Sequence, residues 1–351
     1  MEAFPFHTGE LAAQQLSGTT ESAAAGGAFI RTAMPDQHRT FFAGLPFLVV
    51  AGGAEEDGFI WVSVLEGPDG FVSSPDPEHL VIGQSLAQDD PLAASLSDGG
   101  RVGLLGIDLA ARRRNRLNGT LNATPQGYVL RVDQSFGNCP QYIHARGWHR
   151  VDGGAVPVAR ISDRLDGAQT AWIAAADTLF IGSGSPSEGN GYDASHRGGA
   201  PGFVRVANDG SLLIPDYPGN NFFNTIGNLL QDPRVGLLII DFSTGSLLHI
   251  SGRARIDWHP EDSHDLAARR MIHVTVEKVV DRPCALSLRW RPLDQGQRLM
   301  VVDKVEESAG IVSFHLASDG APLSRFRAGQ HLPVRLNIPG ERAPVERSYS
   351  L

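Results

Sequence analysis

Apolar residues in this chain come mostly in runs of four to six, broken by glycine, proline and aspartate, with little trace of a helical period. Runs of that length between turn-forming residues predict β-strands. Phe47-Leu-Val-Val-Ala51, Phe59-Ile-Trp-Val-Ser-Val64, Leu80-Val-Ile82, Val102-Gly-Leu-Leu-Gly-Ile107 and Tyr128-Val-Leu-Arg-Val132 form a first series. Thr178-Leu-Phe-Ile181, Gly202-Phe-Val-Arg-Val206, Leu212-Leu-Ile214, Val235-Gly-Leu-Leu-Ile-Ile-Asp241, Leu247-Leu-His-Ile-Ser251 and His273-Val-Thr-Val-Glu277 form a second, in the same order. Helical signals are confined to the first 40 or so residues and to a short segment over 221–230. The lead-in predicts a helix through Thr8–Leu16, a Ser/Thr/Ala/Gly loop, and another helix at Pro35-Asp36, where a missing donor and a negative charge suit a first turn. Proline at 233 discourages continuation of the later segment.

The two series are a duplication. Arg101-Val-Gly-Leu-Leu-Gly-Ile-Asp108 recurs 133 residues later as Arg234-Val-Gly-Leu-Leu-Ile-Ile-Asp241. Glu66-Gly-Pro-Asp-Gly-Phe-Val72 recurs, with one residue inserted, as Arg197-Gly-Gly-Ala-Pro-Gly-Phe-Val204. A period this long marks a repeated domain, since solenoid units repeat every ~20–50 residues. After Trp290 three more strands are expected, at Leu299–Val305, Ile311–Leu316 and Leu332–Ile338, matching neither copy. The fold class expected is therefore mostly β with short helices: two tandem small barrels, over residues 1–155 and 156–294, then a partial antiparallel barrel over 295–351. The last module is short for a barrel, so the chain is expected to stop inside a domain.

At 351 residues and 42% hydrophobic composition there is ample material for several cores. The net charge of −9, without long acidic blocks, argues against a general nucleic-acid surface. No apolar run approaches the ~18 residues that span a bilayer, and no signal peptide is evident, so a cytoplasmic protein without membrane association is expected. Cys139 and Cys284 read better as two reduced thiols than as a disulfide.

Residues common to both copies should build the fold, whereas polar residues kept in one copy are candidates for a site. Glu66 aligns with Arg197, a full charge reversal. The loop expected around Arg197 also holds Asp193, Ser195 and Gly198, a combination suited to an anion: guanidinium offers a planar fork, and glycine lets backbone N–H groups approach. Downstream, Asn220, Asn221, Asn224, Thr225 and Asn228 place amides and a hydroxyl on or near one face of the expected helix. The first copy has Ala87, Pro91, Leu92 and Ser95 there instead. Taken singly, Asn220 or Asn221 reads equally as a helix cap and Arg197 as a surface charge. The first copy in turn carries Arg112-Arg-Arg-Asn-Arg116, either a solvated edge or an arginine set reaching across to the second copy's anion. Phe136-Gly-Asn-Cys139-Pro-Gln141-Tyr142 is likewise peculiar to the first copy; Cys139 reads more readily as a packed side chain than as a nucleophile.

Asp193 to Val204, Asn220 to Asn228 and Phe136 to Tyr142 together resemble the pyridoxamine 5′-phosphate oxidase-like family of FMN-binding split barrels, across roughly residues 35–290. That resemblance implies a split barrel in each copy and FMN in a cleft between them, where the family uses a homodimer. It implies that Asp193, Ser195, Arg197, Gly198, Asn220, Asn221, Asn224, Thr225 and Asn228 hold the cofactor, with Arg114, Arg116, Cys139, Gln141 and Tyr142 contributed by the other copy. The sister cleft, with Glu66, should bind FMN poorly or not at all. No match is found for the substrate-gripping arginine segment at the end of true pyridoxamine phosphate oxidases, which puts vitamin B6 oxidation in doubt. The tail, Phe326-Arg-Ala-Gly-Gln-His-Leu332 and Arg347-Ser348-Tyr349-Ser350, is similar to the start of the FAD-binding barrel of ferredoxin–NAD(P)H reductase-type flavoproteins. There the resemblance implies arginine on a pyrophosphate and tyrosine on the isoalloxazine of FAD, in the complete domain only.

The expected function is an FMN-binding oxidoreductase module of a larger NAD(P)H-dependent electron-transfer flavoprotein. Its partners would be a small-molecule substrate or electron acceptor and a reductase domain beyond residue 351, with a homodimer left open. A flavin or haem carrier or sensor without turnover is the alternative. No catalytic residue and no metal ligand can be named from the sequence.

Overall fold

The computed structural model describes residues 5–53, 58–96, 98–152, 157–185, 191–261, 263–293, 299–309, 311–318, 331–336 and 345–350. The chain is mostly β with short helices. Three helices lead in: α1 (Thr8–Leu16), α2 (Thr20–Gly27) and α3 (Asp36–Ala43). The first copy follows as β1 (Phe47–Gly53), β2 (Ile60–Glu66), β3 (Val72–Asp76), β4 (His79–Ile82), α4 (Pro91–Ser95), β5 (Gly100–Asp108), β6 (Arg113–Thr124), β7 (Gly127–Asn138) and β8 (Arg146–Arg150). After β9 (Arg160–Ser162) and α5 (Gly167–Ala175), the second copy comprises β10 (Thr178–Ser185), β11 (Gly191–Gly198), β12 (Arg205–Val206), β13 (Leu212–Asp216), α6 (Asn224–Gln231), β14 (Arg234–Asp241), β15 (Ser246–Asp257), β16 (Arg270–Arg282) and β17 (Leu288–Pro292).

The duplication is visible in the hydrogen bonding. One sheet runs β2-β1-β5-β6-β7-β4-β3 and the other β11-β10-β14-β15-β16-β13-β12, the same permutation strand for strand. Both are open paths rather than closed rings. β8 and β17, which end the two copies, pair with each other.

Three cores explain why the strand runs are apolar without alternation. Leu48, Val50, Leu104 and Leu117 point into the first copy's own core. Ile181, Leu237, Leu248 and Ile250 point into the second's. The intervening positions, Phe47, Val49, Ala51, Val62, Leu105, Phe180, Leu238 and Ile240, form a third core between the copies. Strands buried on both faces have no polar side to show. The repeated Arg-Val-Gly-Leu-Leu motif supplies the close approach: a Cβ on Gly103 would lie 2.5 Å from the Tyr192 carbonyl oxygen, and one on Gly236 2.6 Å from that of Ile60. Met1–Arg291 forms one compact unit.

The second compact unit, Pro292–Leu351, contains two antiparallel pairs: β18 (Leu299–Ser308) with β19 (Ile311–Ser318), and β20 (His331–Leu336) with β21 (Val345–Ser350). Arg347, Ser348 and Tyr349 lie on β21, opposite Val334, Pro333 and Leu332. Most of the Phe326–Leu332 motif lies outside the described residues.

Three expectations need correction. The Ser/Thr/Ala/Gly stretch expected as a loop is helix α2, as its alanines favour. The segment around Arg197 expected as a loop is strand β11. Helix α6 begins at Asn224 rather than at 221, because Asn221 and Phe223 are left-handed (φ 61° and 62°) and cannot open a right-handed turn.

Candidate functional site

Strand β11 and helix α6 lie together in the second copy, and β6 of the first copy reaches them. In a strand, alternate residues share a face. From β11, Asp193 and Ser195 meet α6: Asn228 Nδ2 donates to Asp193 Oδ2 at 2.8 Å, and Thr225 Oγ1 donates to Ser195 Oγ at 3.1 Å. From β6, alternate residues cross between the copies. Asn118 Nδ2 donates to Asp193 Oδ1 at 2.8 Å, Arg116 Nη1 to Asn224 Oδ1 at 2.7 Å, and Arg114 Nη1 to His196 Nδ1 at 2.8 Å. This polar seam runs from an acidic end at Asp193 to a basic end at Arg197.

The basic end opens into a cleft of about 90 Å³ lined by Arg114, Arg116, Arg197 and Arg270, with Asp216 as its one acidic lining residue. Asp216 accepts from Arg197 Nη1 at 2.6 Å and from Arg270 Nε at 2.9 Å. Arg114 and Arg116 are buried, and their guanidinium groups are pulled down to about 9 and about 10. Burial is the main cause in both; Arg116 and Arg197 add repulsion at Arg114, and Arg197 does so at Arg116. Both stay charged at neutral pH. His196 is buried and, beside Arg114, is driven well below the usual histidine range, so its Nδ1 accepts and its Nε2 carries the proton. The Nε groups of Arg114, Arg116 and Arg197, His196 Nε2 and Asn220 Nδ2 are buried without hydrogen-bond partners. Four guanidinium groups, one carboxylate and five unmet donors describe a site short of an anion.

The backbone supports this cleft at some cost. Tyr142, Asn221 and Phe223 all have positive φ and all line it; left-handed non-glycine residues cost roughly 1–3 kcal/mol each and cluster at binding sites. Gly198 lets the Tyr142 carbonyl cross β11, since a Cβ there would sit 2.0 Å from that oxygen. The Tyr142 ring stacks on Tyr217 at 5.0 Å, and its hydroxyl donates to the Pro218 carbonyl.

The structure brings together Arg197, Gly198, Asn220, Asn221, Asn224, Thr225, Arg114, Arg116, Cys139, Gln141 and Tyr142 around the cleft. Ser195 sits behind it, on Thr225. Asp193 and Asn228 do not join; they line a second cavity of about 400 Å³ at the acidic end. Asn220 makes a local turn to the Phe222 N–H, and Asn221 donates to Ser22. Both cysteines are free and exposed. Sequence reasoning missed His196, Asp216, Tyr217 and Arg270. His196 lay inside the recognised segment, but Asp216 and Arg270 come from strands with no local signal.

The sister cleft is built differently at equivalent positions. Register places Leu247 and His249 where the first copy has Arg114 and Arg116. The same registers correct the alignment expected from the sequence: Glu66 falls where the second copy has Gly198, and Leu65 where it has Arg197, so the two opposite charges do not share one structural position. The Glu66 carboxylate accepts from the N–H groups of Ser287 and Leu288. Arg282 is neutralised by Asp89 and Asp90.

No family model matches the chain. Among curated proteins it is similar to flavohemoproteins of Bacillus thuringiensis subsp. konkukian (strain 97-27) and Bacillus cereus (strain ATCC 10987 / NRS 248), each 45% identical over 56 residues, which is 16% of this chain. The chain spans 14% of the length of these relatives. Among solved structures, HupZ from Group A Streptococcus aligns at 8% identity over 33% of this chain and 98% of its own, with a TM-score of 0.26. A FAD-binding protein from Mesorhizobium loti aligns at 11% identity, over 36% and 99%, TM-score 0.24. A putative 5-nitroimidazole antibiotic resistance protein from Bacteroides thetaiotaomicron aligns at 16%, over 38% and 96%, TM-score 0.24. Likenesses this slight carry no argument about this chain. No helix is long and apolar enough to cross a membrane among the described residues.

Proposed function

We propose that this chain is a flavin-binding oxidoreductase module that holds FMN by its phosphate in the cleft between the two copies. The observation that carries the reading is the set of unmet buried donors on Arg114, Arg116, Arg197, His196 and Asn220 around four guanidinium groups. A phosphate monoester brings nearly two negative charges and three acceptor oxygens, which is what these groups lack. Thr225, at the start of α6, adds a hydroxyl and the positive end of a helix dipole. A cleft of about 90 Å³ suits the phosphate end of the cofactor, and Tyr142, Tyr217 and Phe223 offer aromatic surface beside it.

Bound FMN supplies the electron-transfer chemistry; the protein supplies grip, orientation and shielding from water. Arg114 and Arg116 come from one copy and Arg197 and Thr225 from the other, so binding depends on both. The similarity to flavohemoproteins supports a flavin role, and the tail motifs support a module that continues into an FAD-binding, NAD(P)H-dependent reductase. Within that reading the working divisions are residues 1–155, 156–294 and 295–351, and the electron acceptor is a small molecule or a protein partner.

Equilibrium titration with FMN, followed by flavin fluorescence, tests the reading. One site per chain is expected. Two equal sites, or no binding, would overturn it.

A further inference from the structure

The larger cavity, about 400 Å³, lies at the acidic end of the seam and is walled by the N-terminal segment, β6, β7 and β11. Pro5, Phe6 and Ile30 give it an apolar side; His7, Asn118, Asp133 and Asp193 give it a polar one. Three buried polar atoms on that side lack hydrogen-bond partners: Asn118 Oδ1, Asp133 Oδ2 and His7 Nε2. Their chemistry is specific. Asn118 Oδ1, an amide oxygen, accepts only, and the bond from Nδ2 to Asp193 fixes which way round the amide sits. Asp133 Oδ2 accepts only; Arg101 lies 3.7 Å from it, and Arg131 lies 3.3 Å from Oδ1 of the same carboxylate. His7 Nδ1 accepts from the Gly9 N–H at 3.1 Å, which leaves the proton on Nε2 as a donor, with Glu10 Oε2 at 3.7 Å.

The cavity is electrically balanced. Asp133 and Asp193 are matched by Arg31 and Arg101 on its wall. Burial raises Glu10 to about 8 and lowers His7, so both are neutral at pH 7. A charged ligand would upset that balance. An uncharged ligand with two N–H donors, one acceptor and a flat apolar body matches the unmet atoms in number and kind. A primary carboxamide is the smallest group with that count. Space is not limiting, since a cavity of about 150 Å³ already admits benzene.

We propose that this second cavity binds an uncharged aromatic primary carboxamide. The site is distinct from the anion cleft and does not rest on the flavin reading. Benzamide is the probe, measured by calorimetry on the whole chain beside N,N-dimethylbenzamide, which lacks both N–H donors, and benzoate, which also carries charge. Benzamide is expected to bind at least about tenfold more tightly than either. Asp133→Ala is expected to weaken benzamide about tenfold while the urea midpoint stays near that of the parent chain; Asn118→Ala is expected to weaken it as much but also to lower the midpoint, since it takes a donor from the buried Asp193. Nicotinamide and NADH, run alongside, separate a free amide from the ring of a dinucleotide; binding of either supports the site. The proposal is overturned if benzamide does not bind, if the three probes bind alike, or if both variants leave its affinity unchanged. A chain that takes FMN but not benzamide sinks this inference alone, and the converse sinks only the flavin reading.

Discussion

Replacing Arg116 by methionine separates a binding role from a structural one, because the two roles demand different outcomes. In the fold this side chain is buried and pulled down to about 10, chiefly by burial. A fall of that size from 12.5 corresponds to roughly 3 kcal/mol working against the charged form in the folded state. Arg116 is protonated at pH 7 whether folded or unfolded, so the penalty is fully present there. Opposing it is one charge-assisted hydrogen bond to Asn224 at 2.7 Å, contributing about 1.5–3 kcal/mol. The terms nearly cancel. Arg116→Met therefore leaves unfolding free energy within about 1–2 kcal/mol of the parent by urea denaturation. FMN affinity behaves otherwise, since a lost charge-assisted contact weakens it by about 1.5–3 kcal/mol, or roughly 10–150-fold in Kd. A variant that unfolds far more easily yet binds FMN as well as its parent would show that Arg116 is a structural prop and that the anion site lies elsewhere.

Other substitutions follow the same logic. Arg197→Glu sets a carboxylate beside Asp216 and should abolish measurable FMN binding, as read by fluorescence titration; retained micromolar affinity would exclude Arg197 from the grip. Glu10 holds its proton up to about 8 in the fold against an ordinary 4.5, so the native state binds a proton that the unfolded chain has released between those values. Stability from this group is thus fully present below pH 4.5 and is lost as pH rises from there toward 8. Glu10→Gln should remove that slope and be the more stable protein at pH 8 by a few kcal/mol, and parallel pH profiles for the two proteins would contradict it. Gly103→Ala forces a methyl against the Tyr192 carbonyl and should cost about 1–3 kcal/mol in urea unfolding; an unchanged midpoint would mean that the copies can move apart freely.

Much of the fold was legible because burial on two faces leaves its mark in composition. The Phe47–Ala51 and Val102–Ile107 runs had to be apolar throughout once each sheet lay between its own core and a shared one. The lining of the candidate cleft was legible in part. Arg197, Asn224 and Thr225 stood out against a sister copy that lacked them, as did Arg114 and Arg116. Asp193–Arg197 carries a strand signal of its own, since Asp193, Ser195 and Arg197 alternate as a strand requires. What no local pattern could give was the counter-ion. Asp216 and Arg270 look like ordinary strand-end charges until β13 pairs with β16 and sets them at one cleft. Asn228 stands apart from the cleft for a related reason. One turn of α6 beyond Thr225 carries it past the arginines and onto Asp193, in a separate cavity.

The shared core between the copies also bears on how such a molecule can change. In a symmetric pair of identical chains, every mutation strikes both clefts, so a group that helps one and harms the other cannot be kept. Here the halves are joined through Phe47, Phe180 and their neighbours, yet are encoded separately. Leucine at 247 and arginine at 114 can therefore coexist at matching points of one molecule. The buried Asp90–Arg282 pair, which has no counterpart among the arginines of the first cleft, is a second difference that separate encoding permits.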